Sequence, residues 1–174
     1  MTSLKESAEA FIKSYGATIA IGHTLMEGTS ETDTDARIDD FCKRIVAFFH
    51  PKTILFGVPG GAAVFNTREE AAVAIKANTK RYVELGLGFC GELKKYEVVG
   101  TFDLGGHGAC MLDVTWRMRP HTGSGLEDYD IHAVYGYRKL QNGEEGWEHG
   151  YIDGEMEALL KRRPDFFEGM GPPP

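Results

Sequence analysis

The sequence predicts an α+β fold in which helices come first and then pack on a strongly curved, mainly antiparallel sheet. In the N-terminal half, apolar residues recur at the three- and four-residue spacing of amphipathic helices. From residue 89 onward the apolar period falls to two, which is typical of strands. Short glycine-rich turns join these strands, and strands with short connections pair antiparallel. The 174 residues are expected to form a single domain, because a chain of this length buries a substantial core.

Three helices and one short buried strand are predicted in the first half of the chain. They cover residues 4 to about 27, about 34–49, 52–58 (the strand) and 67 to about 85. Pro51 ends the second helix, because the residue before a proline is pushed out of the helical region. Thr67 and Glu70 have the spacing of a capping box, which predicts the start of the third helix.

Four long strands and a C-terminal arm are predicted in the second half. The strands cover about 89–103, 107–119, 129–140 and 146–153, and residues 154–174 form a short helix or arm with a proline-rich tail. Because long strands twist, the sheet is expected to curl. A curled sheet wrapped around helices predicts a cone with an interior.

The stretch GLGFCG (86–91) matches the G-x-G-x-x-G fingerprint of dinucleotide-binding proteins. That fingerprint binds a pyrophosphate only where it follows a strand and opens a helix. Here it follows a predicted helix and leads into a strand. Gly86 is therefore predicted to stop the helix, with Gly88 and Gly91 in a loop or bulge. No cofactor is expected.

Composition excludes several other classes of function. The net charge of −7 argues against nucleic acid or an anionic membrane as a partner. The N-terminus lacks the apolar region of a signal peptide, and Cys42, Cys90 and Cys110 resemble reduced thiols, so a cytoplasmic location is expected. The six histidines lack metal-ligand spacing, so no metal is expected either.

Three stretches carry a resemblance to a known family. They are DDFCKRIVAFFHPKTILFG, NTREEAAVAIKANTKRYVELG and YGYRKLQNGEEGWEHGYID. With the element order, they resemble the NTF2-like superfamily, in particular its SnoaL-like (polyketide cyclase-like) branch. The resemblance implies a cone whose cavity takes a small apolar organic ligand or substrate, and a homodimer formed through the outer face of the sheet. Some members of this family are isomerases, cyclases, dehydratases or epoxide hydrolases, and others bind ligands or proteins without chemistry.

Asp113 and His149 are the first candidates for catalysis. Asp113 lies mid-strand, where an acid needs water, a partner or a pocket. Either its face of the strand lines the cavity, or the apolar face with Trp116 does and Asp113 meets solvent. The resemblance to limonene-type epoxide hydrolases favours the first orientation, although Met111 and His149 replace that family's Arg and second carboxylate. Asp113 and His149 would still form an acid–base couple, unless His149 is a surface histidine.

Tyr15 and His23 are the other catalytic candidates, as donors that polarise a substrate. They lie eight residues apart on the first predicted helix, hence on about the same face. The alternative for His23 is a hydrogen-bonded core histidine. Tyr15 resembles the phenol of ketosteroid isomerases. The stretch KTILFGVPG lacks the aspartate of those enzymes, so their mechanism is not supported.

An apolar pocket wall is predicted from aromatic residues on the strands. The predicted substrate-binding residues are Phe56, Trp116, Tyr135, Tyr137 and Trp147. Ordinary core packing would explain the same aromatic residues equally well.

Together these features predict a cofactor-free acid–base enzyme (an isomerase, cyclase or dehydrating lyase) acting on a mostly apolar substrate. The alternative is a non-catalytic dimeric module that binds a ligand or a protein.

Overall fold

The computed structural model describes residues 2–52, 54–58, 61–87 and 91–169 of the chain. In chain order its elements are α1 (Leu4–Ala20), a 3₁₀ helix (Ile21–Glu27), α2 (Glu31–Val46), β1 (Ile54–Val58), β2 (Gly61–Phe65), α3 (Arg68–Glu84), β3 (Gly91–Asp103), β4 (Gly108–Met118), β5 (Tyr129–Lys139), β6 (Glu145–Asp153) and α4 (Glu155–Arg162). The predictions for Gly88, Cys90 and the proline-rich tail fall outside the described residues.

Side-chain caps fix where α1 and α3 begin. At α1, the Ser3 hydroxyl accepts a hydrogen bond from the Glu6 N–H, and the Glu6 carboxylate accepts one from the Ser3 N–H. At α3, the Thr67 hydroxyl accepts from the Glu70 N–H at 3.1 Å, which confirms the predicted start of the helix. The Glu70 carboxylate accepts from the N–H of Asn66. Each cap satisfies amide donors that a helix N-terminus leaves unpaired.

The first predicted helix was too long as an α-helix. Its α-helical part ends at Ala20 and continues as the 3₁₀ helix to Glu27. There the His23 ring donates from Nδ1 to the Ala20 carbonyl at 2.7 Å, and the Thr24 hydroxyl donates to the Ile21 carbonyl at 2.8 Å. These local bonds compete with the four-residue ladder of an α-helix.

Gly86 ends α3, as predicted. Its φ of +68° is left-handed, and the N–H of Leu87 reaches back to the Tyr82 carbonyl at 2.9 Å. This is the closing pattern of a helix C-terminus. Gly91 then opens β3 and is buried against Ile19, since a Cβ there would lie 2.8 Å from the Ile19 Cγ2. The glycines therefore connect a helix to a strand.

In the described part of the chain, six strands form one mixed sheet in the order β2-β1-β6-β5-β4-β3. The predicted antiparallel meander is β3 to β6. β1 pairs parallel with β6 through Leu55 and Phe56, and β2 forms a hairpin with β1. The sequence prediction missed β2 because its segment GAAVF is short and rich in small residues.

Burial distinguishes the two faces of the sheet. The inner face packs against the helices and carries Cys110, Leu112, Val114, Trp116 and Met118 of β4, with Ile131, Ala133, Tyr135 and Tyr137 of β5, all buried. On the outer face Met111 is 45% exposed and Tyr151 is 45% exposed. The cone interior therefore lies between the inner face and the helices.

The C-terminal arm crosses the end of the sheet. Gly154, with a φ of +73°, turns the chain out of β6 and directly into α4. Leu159 of α4 and Phe166 beyond it are fully buried. The arm thus belongs to the core and brings its first residue, Glu155, toward the interior.

Candidate functional site

The interior holds an aromatic cluster that contains all the predicted substrate-binding residues. Its members are Phe11, Tyr15, Phe48, Phe49, Phe56, Trp116, Tyr135, Tyr137 and Trp147. The Tyr15 ring centroid lies 5.9 Å from Trp116, 5.9 Å from Tyr135 and 5.6 Å from Trp147. Three strands (β4, β5 and β6) thus converge on Tyr15 of α1. Their role in binding stays a prediction.

Two phenols meet inside the cluster. Tyr15 and Tyr135 are hydrogen-bonding neighbours, and burial raises the pKa of Tyr15 well above its ordinary value. Burial also raises the pKa of Tyr135. Both hydroxyls therefore keep their protons at any physiological pH. The bond between them uses one O–H group, so the pair has one O–H left to donate to another oxygen atom.

Two indole N–H groups of the cluster have no hydrogen-bond partner among the described residues. They belong to Trp116 and Trp147, which are 3% and 0% exposed. Although the Trp116 indole lies near the Tyr135 hydroxyl, the two do not meet in ordinary hydrogen-bond geometry. Buried donors are normally paired, because an unpaired one costs free energy. An acceptor atom beside either indole N–H would satisfy that donor.

A carboxyl that sequence reasoning missed lies at one end of this interior. The Tyr82 hydroxyl donates to the Glu155 Oε1 at 2.6 Å. Burial raises the pKa of Glu155, while the Tyr82 phenol lowers it by a smaller amount. The Tyr129 phenol lies beside Tyr82. Burial raises the pKa of Tyr82, Tyr129 and Tyr135, and the charge of Glu155 raises each of them by a smaller amount. The carboxyl and the phenols therefore share one poorly solvated environment.

Glu155 was missed because it follows the last strand, in a stretch interpreted only as an arm. The usable signal was the dipeptide Gly154–Glu155, since a glycine at a strand end permits the left-handed turn that points the next side chain inward. Tyr82 falls within the third predicted helix and Tyr129 at the start of a predicted strand, and neither position indicates a partner in the sequence.

Of the two orientations left open for β4, the structure shows the one with Trp116 inside; the inward orientation of Asp113, which the family resemblance favoured, is wrong. Asp113 lies on the outer face of β4, where its Oδ1 is 2.9 Å from the Nε2 of His132 on β5. Their side chains are 48% and 45% exposed. The alternation that buries Trp116 forces this result, because adjacent strand residues point to opposite faces. Asp113 therefore cannot reach the interior.

His149 is also on the outer face and does not pair with Asp113, because β5 runs between them. A β-bulge between Trp147 and His149 puts both Glu148 and His149 outside. The His149 ring lies against Gly136, where a Cβ would come within 1.9 Å of the ring Cε1. The predicted Asp113–His149 couple is not formed.

His23 is exposed on the 3₁₀ helix, and its ring bonds the Ala20 carbonyl. Its predicted place in the interior beside Tyr15 is wrong, because the change from α-helix to 3₁₀ helix after Ala20 alters the angular spacing of the two residues. Of the four predicted catalytic residues, Tyr15 alone lies in the interior.

The outer face has a shallow cleft of about 320 Å³ lined by Leu55, Glu148, His149 and Tyr151. The Glu148 carboxylate is held 2.5 Å from the Nε of Arg138. The cleft is open to solvent, so its charged groups stay well hydrated and interact weakly.

The thiols offer no activated nucleophile among the described residues. Burial raises the pKa of Cys42 to about 11, and burial also raises the pKa of Cys110. A thiolate is therefore disfavoured at both positions. In residues 2–52, 54–58, 61–87 and 91–169, no three His, Cys, Asp or Glu side chains come together as metal ligands. No helix among these residues has the length and apolar character needed to span a membrane.

Comparisons with known proteins identify the fold. No protein-family model matches the sequence, and no curated protein matches it significantly. Solved structures do match. An NTF2-like protein with a cystatin-like fold from Novosphingobium aromaticivorans superposes with a TM-score of 0.56 at 13% identity, covering 90% of this chain and 88% of that one.

Two further structures match over most of their length. The Aln2 protein of a Streptomyces species gives a TM-score of 0.52 at 17% identity, over 73% of this chain and 85% of its own. A Xanthomonas campestris protein named as a calcium/calmodulin dependent protein kinase II association domain gives 0.51 at 11% identity, over 84% of each chain. At these identities the likeness concerns the fold. With helices packed on an open mixed sheet, the chain has the fold of the NTF2-like superfamily, as its sequence predicts.

Proposed function

We propose that the protein binds a small, mostly apolar molecule inside the cone, among the rings of the aromatic cluster. The observation that carries this proposal is that the buried indole N–H groups of Trp116 and Trp147 have no hydrogen-bond partner among the residues that the structure describes. A ligand oxygen beside either N–H group would accept from a donor that this part of the chain leaves unpaired. The surrounding rings favour a flat, aromatic ligand, since stacked and edge-on ring pairs gain energy beyond burial alone.

We further propose that the interior performs cofactor-free acid–base chemistry, as an isomerase, cyclase or dehydrating lyase does. Glu155 replaces Asp113 as the proton acceptor in this proposal. A carboxyl whose pKa is raised by burial is a stronger base than one in water, and the hydrogen-bonded phenol pair of Tyr15 and Tyr135 has one O–H to donate to a developing oxyanion.

The simplest step of this kind is enolisation of a ketone. The Glu155 carboxylate takes a proton from the carbon next to the carbonyl, so a C–H bond breaks and an O–H bond forms. The electron pair of the C–H bond forms a C=C bond, and the π pair of the C=O bond moves to the oxygen, which accepts a hydrogen bond from the phenol pair. In a β,γ-unsaturated ketone, return of the proton to the γ-carbon restores the C=O bond and completes an isomerisation without net change in protons or electrons.

Exchange of hydrogen for deuterium in 2-tetralone tests this proposal without knowledge of the natural substrate. Proton NMR in D₂O follows loss of the hydrogens next to the carbonyl. We expect the wild-type protein to exchange these hydrogens faster than buffer alone. Glu155→Gln should lower the protein-catalysed exchange rate by about 100-fold or more, the usual contribution of a general base. Glu157→Gln, an exposed acid of the same helix, is the matched control and should exchange at the wild-type rate. Equal rates for Glu155→Gln and wild type would refute the role of Glu155.

The second candidate function is a dimeric module that uses the outer face of the sheet. Two exposed apolar side chains there, Met111 and Tyr151, favour it. A homodimer through this face leaves the interior free, so the two proposals are compatible. Sedimentation velocity of wild type and Met111→Lys tests it, because a charge at the centre of an apolar contact should shift the protein toward monomer. A wild-type protein that sediments as a monomer at every concentration would contradict it.

A further inference from the structure

A strap closes one end of the cone. The strap consists of residues 155–169, namely α4 and the turn that follows it, and it reaches from the sheet to α3. On the sheet side, the Arg162 guanidinium stacks 4.2 Å from the Tyr129 ring centroid. On the helix side, the Phe166 ring packs edge-on against Tyr82 at 5.5 Å. Phe166 is fully buried, so the strap covers apolar surface that would otherwise be open to water.

One arginine of α3 anchors the far end of the strap. The Arg81 guanidinium donates to the main-chain carbonyls of Asp165 at 2.7 Å, Phe166 at 2.7 Å and Glu168 at 3.0 Å. Its side chain is 18% exposed, so water competes little for these bonds. Arg163 adds a bond in the opposite direction, from the strap to the Leu85 carbonyl at 2.6 Å. Hydrogen bonds from two charged guanidinium groups thus hold the strap in place. Among the described residues, no strand or helix follows α4.

The near end of the strap has the geometry of a hinge. Gly154 adopts a left-handed φ of +73° between β6 and α4, and nothing lies within 4 Å of the place where its Cβ would be. Glu155 is the next residue, so any rotation about Gly154 moves the carboxyl that bonds Tyr82. The strap and the Glu155 carboxyl therefore belong to one element and move together.

From this geometry we infer that the strap is the gate of the interior site. It opens about Gly154 when the bonds to Arg81 break, admits the ligand between α3 and β5, and on closing returns Glu155 to the bound molecule. A gate is needed because Trp116, Tyr135 and Trp147 are at most 4% exposed, so the interior is closed to solvent in this structure. Since the gate serves the interior ligand site, this inference rests on the proposed function.

Stopped-flow fluorescence with 2-tetralone tests the gate. The chain has two tryptophans, and both belong to the aromatic cluster, so their emission reports binding in the interior. Arg81→Ala should raise the association rate about tenfold, because lost charge-assisted bonds raise the population of the open strap. Arg81→Lys should lie between this variant and wild type. Arg44→Ala, which removes an exposed pair with Asp40 on α2, is the matched control and should leave the rate unchanged.

Hydrogen exchange of the strap peptides, measured by mass spectrometry on the same proteins, separates the outcomes. Faster exchange in residues 155–169 of Arg81→Ala together with faster association supports the gate. Faster exchange with a wild-type association rate overturns the gate and leaves the proposed function standing. A wild-type protein whose emission shows no saturable change overturns the proposed function, and the gate with it. If Arg81→Ala fails to fold, Arg163→Ala, which loses the bond to Leu85, undergoes the same two measurements and decides the matter by the same criteria.

Discussion

The inner and outer faces of the same sheet carry titratable groups in opposite surroundings. Inside, Glu155 accepts from a phenol, no described ion pair includes it, and burial raises its pKa. Outside, Asp113 and His132 form a hydrogen-bonded pair with both side chains nearly half exposed. Water hydrates the outer pair well, whereas it hydrates the inner carboxyl poorly. The comparison shows that an exposed acid–histidine pair is weaker support for chemistry than a partly buried acid that bonds a phenol.

The largest expected effect comes from the aromatic cluster. Trp147→Ala should lower the free energy of unfolding by about 3–5 kcal/mol, because it removes a fully buried indole that contacts Phe11, Tyr15, Tyr135 and Tyr137. Tyr151→Ala, on the outer face of the same strand, should cost less than about 1 kcal/mol. Urea denaturation followed by circular dichroism measures both variants. Similar losses for the two variants would contradict the division of the sheet into a core face and a solvent face.

A smaller effect with a defined pH dependence is expected at Tyr82. Its hydroxyl stabilises the Glu155 carboxylate, so Tyr82→Phe should cost about 1–3 kcal/mol at neutral pH. Because the pKa of folded Glu155 is raised, its contribution to stability is fully present below the unfolded pKa and is lost as pH rises toward the folded pKa. Without the phenol the folded pKa rises further. The deficit of Tyr82→Phe relative to wild type should therefore grow between pH 4 and pH 8.

Denaturation curves of Tyr82→Phe and wild type at several pH values check this sign. Tyr129→Phe serves as a control, since the Tyr129 phenol makes no hydrogen bond to Glu155 among the described contacts. A deficit that shrinks as pH rises would mean that Glu155 is solvated in the folded protein.

The smallest effect is expected on the outer face. Asp113→Asn should change the free energy of unfolding by no more than about 1 kcal/mol, the usual size of an exposed ion pair, and should leave exchange of 2-tetralone at the wild-type rate. Loss of exchange activity in Asp113→Asn would place catalysis at Asp113 on the outer face and would refute the interior site.

The sequence was sufficient for the fold and for part of the site. Periodicity located α3 with its cap at Thr67 and its stop at Gly86, and it located the four strands of the meander. It could not place β2, whose small residues lack a strand pattern. Nor could it choose the face of β4, since Asp113 and Trp116 alternate with equal regularity. That choice depends on which face meets the helices, which is a tertiary property.

The candidate site, like the fold, was only partly predictable from the sequence. Aromatic side chains are large and apolar, so their burial is predictable, and Tyr15, Trp116, Tyr135 and Trp147 do converge in the interior. Glu155 was not predictable from local pattern. Its position depends on Gly154 and on a contact with Tyr82 across 73 residues of sequence.

Equilibrium titration of the two tryptophans with 2-tetralone is the most direct test of the interior site. We expect saturable quenching in wild type and in Asp113→Asn, and weaker binding in Tyr15→Phe, which loses one phenol donor at the centre of the cluster. Quenching that is linear and unsaturated in wild type, or equal affinities for wild type and Tyr15→Phe together with a loss of binding in Asp113→Asn, would contradict a ligand site inside the cone.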